Sequence, residues 1–155
     1  MSRTFRWASP ADDILLGEIM HDAVRNGRSH YSEAQRAAWV PAPRKGPEWS
    51  QRLAAQDVLI AEDESEALGF MSLERDSGYL DFAYIRPAAQ GTGLFRELLT
   101  RILARGRARG FEKITVHASL MAQPAFAACG FEVTQEEEVS IADQRFRRFA
   151  MERVL

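Results

Sequence analysis

The sequence predicts a mixed α/β (α+β) fold built on one mixed sheet. Two observations carry this. Apolar spacing switches between period two and period 3.6 along the chain, so strands and amphipathic helices both occur. One predicted strand also runs through a turn into a long helix and on into another strand. That crossover makes a parallel pair inside an otherwise antiparallel sheet.

The elements follow in order. A short strand is expected near Thr4–Trp7. Ser9, Pro10 and Asp12 then read as a helix cap, a first helical residue and a capping-box acid. The helix behind them carries Leu16, Ile19, Met20 and Ala23 on one stripe. A second helix is predicted over 32–39 with Ser32 as cap, then a loop rich in Pro41, Pro43, Gly46 and Pro47, then a short helix around Trp49–Leu53. Strands over 58–61, 68–73 and 79–85, separated by turns at 62–65 and 76–78, read as an antiparallel meander. Pro87 ends the third strand, and Leu94, Leu98, Leu99, Ile102 and Leu103 stripe a long helix that Gly110 stops. A strand over 113–117, a short helix over 121–129, and strands over 131–133 and 145–154 complete the chain.

Length and composition bound the function. The 155 residues suit one domain spanning 1–155, long enough to bury a core without disulfide staples. The net charge of −2 argues against a nucleic-acid or anionic-membrane partner. A single cysteine, Cys129, suits a reducing, cytoplasmic setting. No run reads as a signal peptide or membrane span. His21, His30 and His117 are scattered, so no metal site is expected.

The informative segment is 85–99, IRPAAQGTGLFRELL. A strand ends, two glycines form a turn, and a helix begins at once. The first N–H groups of a helix have no partner inside it, and the helix dipole makes that end positive. The physical expectation is a diphosphate held by backbone amides from Gly91 to Arg96. It is not a P-loop, since no Gly-Lys-Ser/Thr follows, and it lacks the third glycine of the dinucleotide fingerprint. A plain tight turn is the alternative.

At this point the chain resembles the GNAT acetyltransferase family. Gln90-Gly91-Thr92-Gly93-Leu94-Phe95 follows that family's Gln/Arg-x-x-Gly-x-Gly/Ala pattern, with Phe95 in place of the last small residue. A second pattern, Asn-x-x-Ala-x-x-x-Tyr-x-x-x-Gly-Phe, is met by Ala122, Gly130 and Phe131, while Ser119 replaces Asn and Phe126 replaces Tyr. The resemblance implies a GNAT fold of about six or seven strands splayed at the parallel pair, with helices on both faces. It implies acetyl-CoA as cofactor, with pantetheine along the backbone of Ala83 and Ile85. Gln90, Gly91, Thr92, Gly93, Leu94, Phe95 and Arg96 would surround the diphosphate, with Ser119 and Phe126 nearby. Arg86 and Arg101 are further phosphate candidates, though a solvated helix face suits Arg101 better. A homodimer is compatible with the family.

The resemblance also implies direct acetyl transfer to an amine of a small-molecule or amino-acid-like acceptor. A backbone N–H near Ala83 and Tyr84 would polarise the carbonyl. Phe126 cannot donate the proton that the family's tyrosine supplies. Asp81 is the first candidate for a base or amine-binding acid, with a strand-entry residue bonded to a turn as the alternative. His117 is the second, its titration range being suited to proton transfer, although a structural histidine would look the same. Tyr84 is a candidate donor or a core residue. Tyr31, Trp39 and Trp49 fall in the helical insertion, where Tyr31 and Trp39 would wall the acceptor pocket and one tryptophan is expected to be plain packing. A second reading, motivated by Phe126 and Ser119, is a catalytically weak acyl-CoA-binding sensor or partner module. A nucleotide-binding domain is a third.

Overall fold

A computed structural model describes residues 2–64 and 66–155. The turn expected over 62–65 therefore includes Ser65, which lies outside the described residues.

A seven-stranded sheet has the order β1-β2-β3-β4-β5-β7-β6. Strand β1 (Thr4–Trp7) edges a meander of β2 (Gln56–Glu62), β3 (Ala67–Glu74) and β4 (Tyr79–Ile85). Beyond β4 come β5 (Lys113–Ser119) and a terminal hairpin of β6 (Glu132–Ile141) and β7 (Gln144–Val154). Neighbours pair antiparallel except β4 and β5.

Among the described residues, five α-helices cover the sheet: α1 (Asp13–Asn26), α2 (Glu33–Trp39), α3 (Pro47–Ala54), α4 (Leu94–Ala108) and α5 (Gln123–Ala128). Their apolar stripes feed two cores. Leu16, Ile19 and Met20 of α1 and Trp49 of α3 pack on Ile60, Phe70 and Phe82. On the other face, Leu94, Leu98 and Ile102 of α4 and Phe126 of α5 pack on Met71, Leu80 and Ile114.

Two boundaries move for physical reasons. The segment capped by Ser9 opens as one 3-10 turn, Pro10–Asp12, before α1 begins. Asp12 accepts from the Ser9 backbone N–H at 2.9 Å and from Arg6 at 2.9 Å twice, which tightens that turn. The strand expected over 131–133 extends to Ile141 instead. Its continuation is a solvated edge whose Glu136, Glu137 and Glu138 meet Arg147, Arg148 and Arg145 across the hairpin. In the sequence, Glu136, Glu137 and Glu138 opposite Arg145, Arg147 and Arg148 read as such cross-strand charge pairing on a hairpin.

The centre of the sheet decides where a ligand can go. Strands β4 and β5 pair only at Tyr79 with Thr115 and Leu80 with Val116. Beyond these residues they part. Strand β5 stays with β7 along its whole length, from Lys113 to Ser119. Strand β4 carries a bulge, because two steps along β3 (71 to 73) oppose three along β4 (80 to 83). A bulge bends the strand that holds it. Here Asp81 and Phe82 fall on the same side, and the buried Ser72 hydroxyl accepts from the Phe82 N–H at 3.0 Å. Ser72→Ala would leave that N–H without a partner. A loss of about 1–3 kcal/mol is expected, read as a lower Tm by calorimetry. An unchanged Tm would show that water replaces the hydroxyl.

Candidate active site

Two cavities meet at the splay. The first, of about 410 Å³, lies between the diverging strands and the start of α4, against Ala83, Ile85, Gln90, Gly91, Gly93 and Ala122. The second, of about 280 Å³, lies on the α1–α3 side, against Arg44, Arg52, Tyr79, Asp81, His117 and Arg148. Tyr31, Trp39, Tyr84 and Ser119 line both, so the two spaces adjoin.

Strand alternation sets the first cavity's wall. The Arg86 N–H donates to Leu68 of β3 at 2.8 Å. In an extended strand the Ala83 and Ile85 backbone groups therefore point the other way, into the gap. Gln90 reaches back to donate to the Ile85 carbonyl at 3.0 Å. The gap's end is the loop before α4. Gly91 and Gly93 sit at φ +73° and +86°, in left-handed conformations where a side chain is strained. No heavy atom lies within 4 Å of where a Cβ would sit on either. The first bond inside α4 runs from Glu97 N–H to the Gly93 carbonyl at 3.2 Å, and no side chain caps the helix. The N–H groups of Leu94, Phe95 and Arg96 are left for a ligand. An uncapped positive helix end, open space and two left-handed glycines fit a diphosphate.

Other expected residues divide. Arg96 is exposed in the first turn of α4. Thr92 donates its hydroxyl to Ala89 at 2.5 Å and so braces the loop. Arg86 is engaged by Asp22 and the Ala67 carbonyl, away from the loop. Arg101 stacks on Phe5 at 3.7 Å. Ser119 accepts from the Ala122 N–H at 3.1 Å and shapes the turn into α5. Phe126 is 1% exposed, wedged edge-on between Phe95 at 4.9 Å and Phe131 at 5.0 Å. It underlies the cavity without lining it, because its ring points into the α4 core. Met121, Ala122 and Ala125 form that wall instead.

In the second cavity, Tyr31 is edge-on to Trp39 and Phe146, and its hydroxyl donates to the Arg147 carbonyl at 2.5 Å. Trp49 belongs to the core, donating to the Asp13 carbonyl at 2.8 Å. Tyr84 packs among Trp39, Phe70 and Phe82, and burial pushes its phenol far up. Among the described residues its hydroxyl has no hydrogen-bond partner. Asp81 is held by Arg52 at 2.8 and 2.7 Å and by Gln56 at 2.7 Å.

His117 has company that its spacing did not reveal. Its Nδ1 lies 2.7 Å from the Tyr79 hydroxyl, and its Nε2 lies 3.4 Å from Glu137 Oε1. His117 Nδ1 and the Tyr79 hydroxyl share one hydrogen bond, and the nearby Glu137 carboxylate, which only accepts, favours a proton on Nε2. Burial, then the Arg148 charge, lowers the His117 pKa below its ordinary value, while Glu137 opposes them. Arg148 is itself tied to Glu137 at 2.6 Å. Tyr79, Glu137, Arg44, Arg52 and Arg148 were not legible as site residues. One local signal existed for Tyr79, which is two residues before Asp81 on one strand. The others depend on long-range pairing.

A splayed parallel pair with a bare helix end at its mouth defines an acyl-CoA-dependent acyltransferase. Residues 28–153 match the family model described as an acetyltransferase (GNAT) domain. The chain belongs to the GNAT family and is an acetyltransferase that draws on acetyl-CoA. It is 29% identical to the uncharacterised N-acetyltransferase YafP of Escherichia coli strain K12, over 92% of this chain and 89% of that one. It is 27% identical to the L-methionine sulfoximine/L-methionine sulfone acetyltransferase of Salmonella typhimurium strain LT2, over 86% and 82%. A crystal structure of a GCN5-related N-acetyltransferase from Rhodopseudomonas palustris superposes with a TM-score of 0.88 at 28% identity, covering 100% of this chain and 97% of that one. Among the described residues, no helix is long and apolar enough to cross a membrane, and no acidic, histidine and cysteine cluster could hold a metal.

Proposed function

We propose that the protein acetylates the amine of a small, amino-acid-like acceptor by direct transfer. The observation that carries this reading is the adjacency of the two cavities, one suited to a thioester cofactor and the other lined by proton-transfer groups, with Tyr84 bordering both. The Salmonella relative is named for two α-amino acid acceptors, which supports an acceptor of that size. The volume of about 280 Å³ suits one.

The cofactor supplies an activated thioester carbonyl. The gap-facing backbone of Ala83 and Ile85 holds its pantetheine arm as an added strand, with Gln90 yielding or sharing the Ile85 carbonyl. Leu94, Phe95 and Arg96 N–H groups take the diphosphate. On the acceptor side, Tyr79 accepts a proton from the incoming ammonium as its own hydroxyl proton passes to His117 Nδ1. Glu137 steadies the imidazolium through Nε2–H. Asp81, whose oxygens are already bonded, is a fixed anion at the cavity wall that orients Arg52 and attracts the ammonium. The neutral amine would then attack the thioester carbonyl, forming the N–C bond as the C–S bond breaks; Tyr84, whose phenol burial keeps protonated, would pass a proton from Oη to the departing sulfur and regain one from the nitrogen, the task that Phe126 cannot perform.

Turnover of acetyl-CoA against a panel of small amines tests the reading. Acetylation of amino-acid-like members at kcat/KM above about 10⁴ M⁻¹s⁻¹ is expected for a true acceptor. Tight coenzyme A binding with no turnover across the panel would favour the sensor reading instead.

A further inference from the structure

The acceptor cavity holds more positive charge than its contacts consume. Arg44, Arg52 and Arg148 line it with one carboxylate, Asp81. Arg52 is spent on Asp81 in a two-point contact. Arg148 is spent on Glu137. Arg44 is different. Among the described residues its guanidinium makes no hydrogen bond and no ion pair, although it is half-buried. Its one ring contact is with Trp49, 5.8 Å from the centroid. It also lies near Arg52, whose charge repels it, and near Asp81 and Tyr84.

The backbone beneath that side chain is held in place. Arg44 sits on the loop between α2 and α3, pressed onto α1 where Gly17 leaves room. A Cβ at Gly17 would lie 2.0 Å from the Arg44 carbonyl oxygen. A guanidinium on an anchored backbone, partly stripped of water and with five donors unspent, is available to a planar anion. We propose that Arg44 is the receptor for the acceptor's α-carboxylate, so that the enzyme selects α-amino acids over amines that lack an anion. This deepens the proposed function and rests on it.

Charge arithmetic supports the selection. With the other two arginines paired, one uncompensated positive charge faces the cavity. An amine with no anion meets it as repulsion when protonated. An α-amino acid meets it with a carboxylate. Its ammonium is then directed toward Asp81 and Tyr79, the other polar groups of the same cavity. Arg44 is therefore a specificity residue that touches substrate, while Gly17 and Trp49 position it.

The test compares L-methionine sulfone with its carboxamide, using the full-length protein and saturating acetyl-CoA. The carboxamide keeps the amine and side chain but removes the anion. For wild type, kcat/KM for the carboxamide is expected to be at least about 30-fold lower, the size of a charged hydrogen-bond pair. In Arg44→Met, kcat/KM for the acid should fall by a similar factor through KM, while the carboxamide, relieved of that repulsion, should hold or improve. Arg44→Lys, which keeps charge without the fork, should fall between. Equal use of acid and carboxamide by wild type would overturn the proposal while leaving the acetyltransferase reading intact. So would equal losses on both substrates in Arg44→Met. If no amine turns over at all, calorimetry of L-methionine sulfone into coenzyme A-loaded protein decides the subsite separately. Binding by wild type that Arg44→Met loses sustains it, and no binding by wild type rejects it. Should Arg44→Met not fold, the wild-type comparison alone still decides.

Discussion

Gly93→Asp is expected to weaken coenzyme A binding by at least about 100-fold. Gly93 is the residue before α4, at φ +86°, with open space on its outer side. A carboxylate there would project where the diphosphate meets the Leu94, Phe95 and Arg96 amides. Two like charges about 4 Å apart repel by roughly 1 kcal/mol in water and roughly 4 kcal/mol near a protein surface. The carboxylate would also cap the free N–H groups itself, since aspartate is a favoured capping residue. Repulsion and competition act in the same direction. Gly93→Ala separates these from strain, because it brings the left-handed penalty of about 1–2 kcal/mol without charge. Calorimetry on both variants checks this. An aspartate variant that binds no worse than the alanine variant would place the diphosphate elsewhere.

His117→Ala should lower kcat by about 10²–10³-fold, the usual span for a positioned acid–base group. Coenzyme A affinity should stay within about 2-fold of wild type, because His117 is absent from the cavity that holds the loop. Imidazole added to the solution should restore part of the rate, which a purely structural histidine would not allow. The pH profile supplies a second readout. In the proposed transfer His117 acts as a neutral acceptor, and burial and the Arg148 charge hold its pKa below the ordinary 6.5. Activity should therefore persist down to about pH 6.5 and fall only below it. Glu137 raises that pKa, so Glu137→Gln should shift the acid limb to still lower pH. The limb should vanish in His117→Ala. If it remains there, the titrating group is not His117.

Much of this site was legible without coordinates, and the pattern of what was not is instructive. The shape of the glycine loop before α4 was legible because every part of it is contiguous. Gly91 and Gly93 have left-handed backbones that the residue type foretells, and the helix behind them has a stripe that the spacing foretells. The terminal hairpin's charge ladder was legible for the same reason, since it repeats at short range. Asp81 and His117 were singled out by residue type and strand position. Type alone did not show that Asp81 is saturated by Arg52 and Gln56, or that His117 has Tyr79 on one nitrogen and Glu137 on the other. Phe126 was placed at the cofactor by its motif position. Its ring turns inward, where α4 offers Phe95 and the chain after α5 offers Phe131 as edge-on aromatic partners.

Residue order alone determined the strand and helix periods, the crossover that makes β4 and β5 parallel, and the bare helix end that follows the two glycines. These depend on interactions within a few residues, so the chain states them locally. Only the tertiary structure decided that β4 and β5 part after two paired residues, that the bulge turns Asp81 and Phe82 to one side, and that Arg44 comes to rest half-buried beside them. Those outcomes depend on which distant backbone claims each hydrogen bond. Strand β5 follows β7, β4 is bent at Ser72, and the Arg44 loop settles on Gly17. No spacing along the chain encodes such competition between partners far apart in sequence.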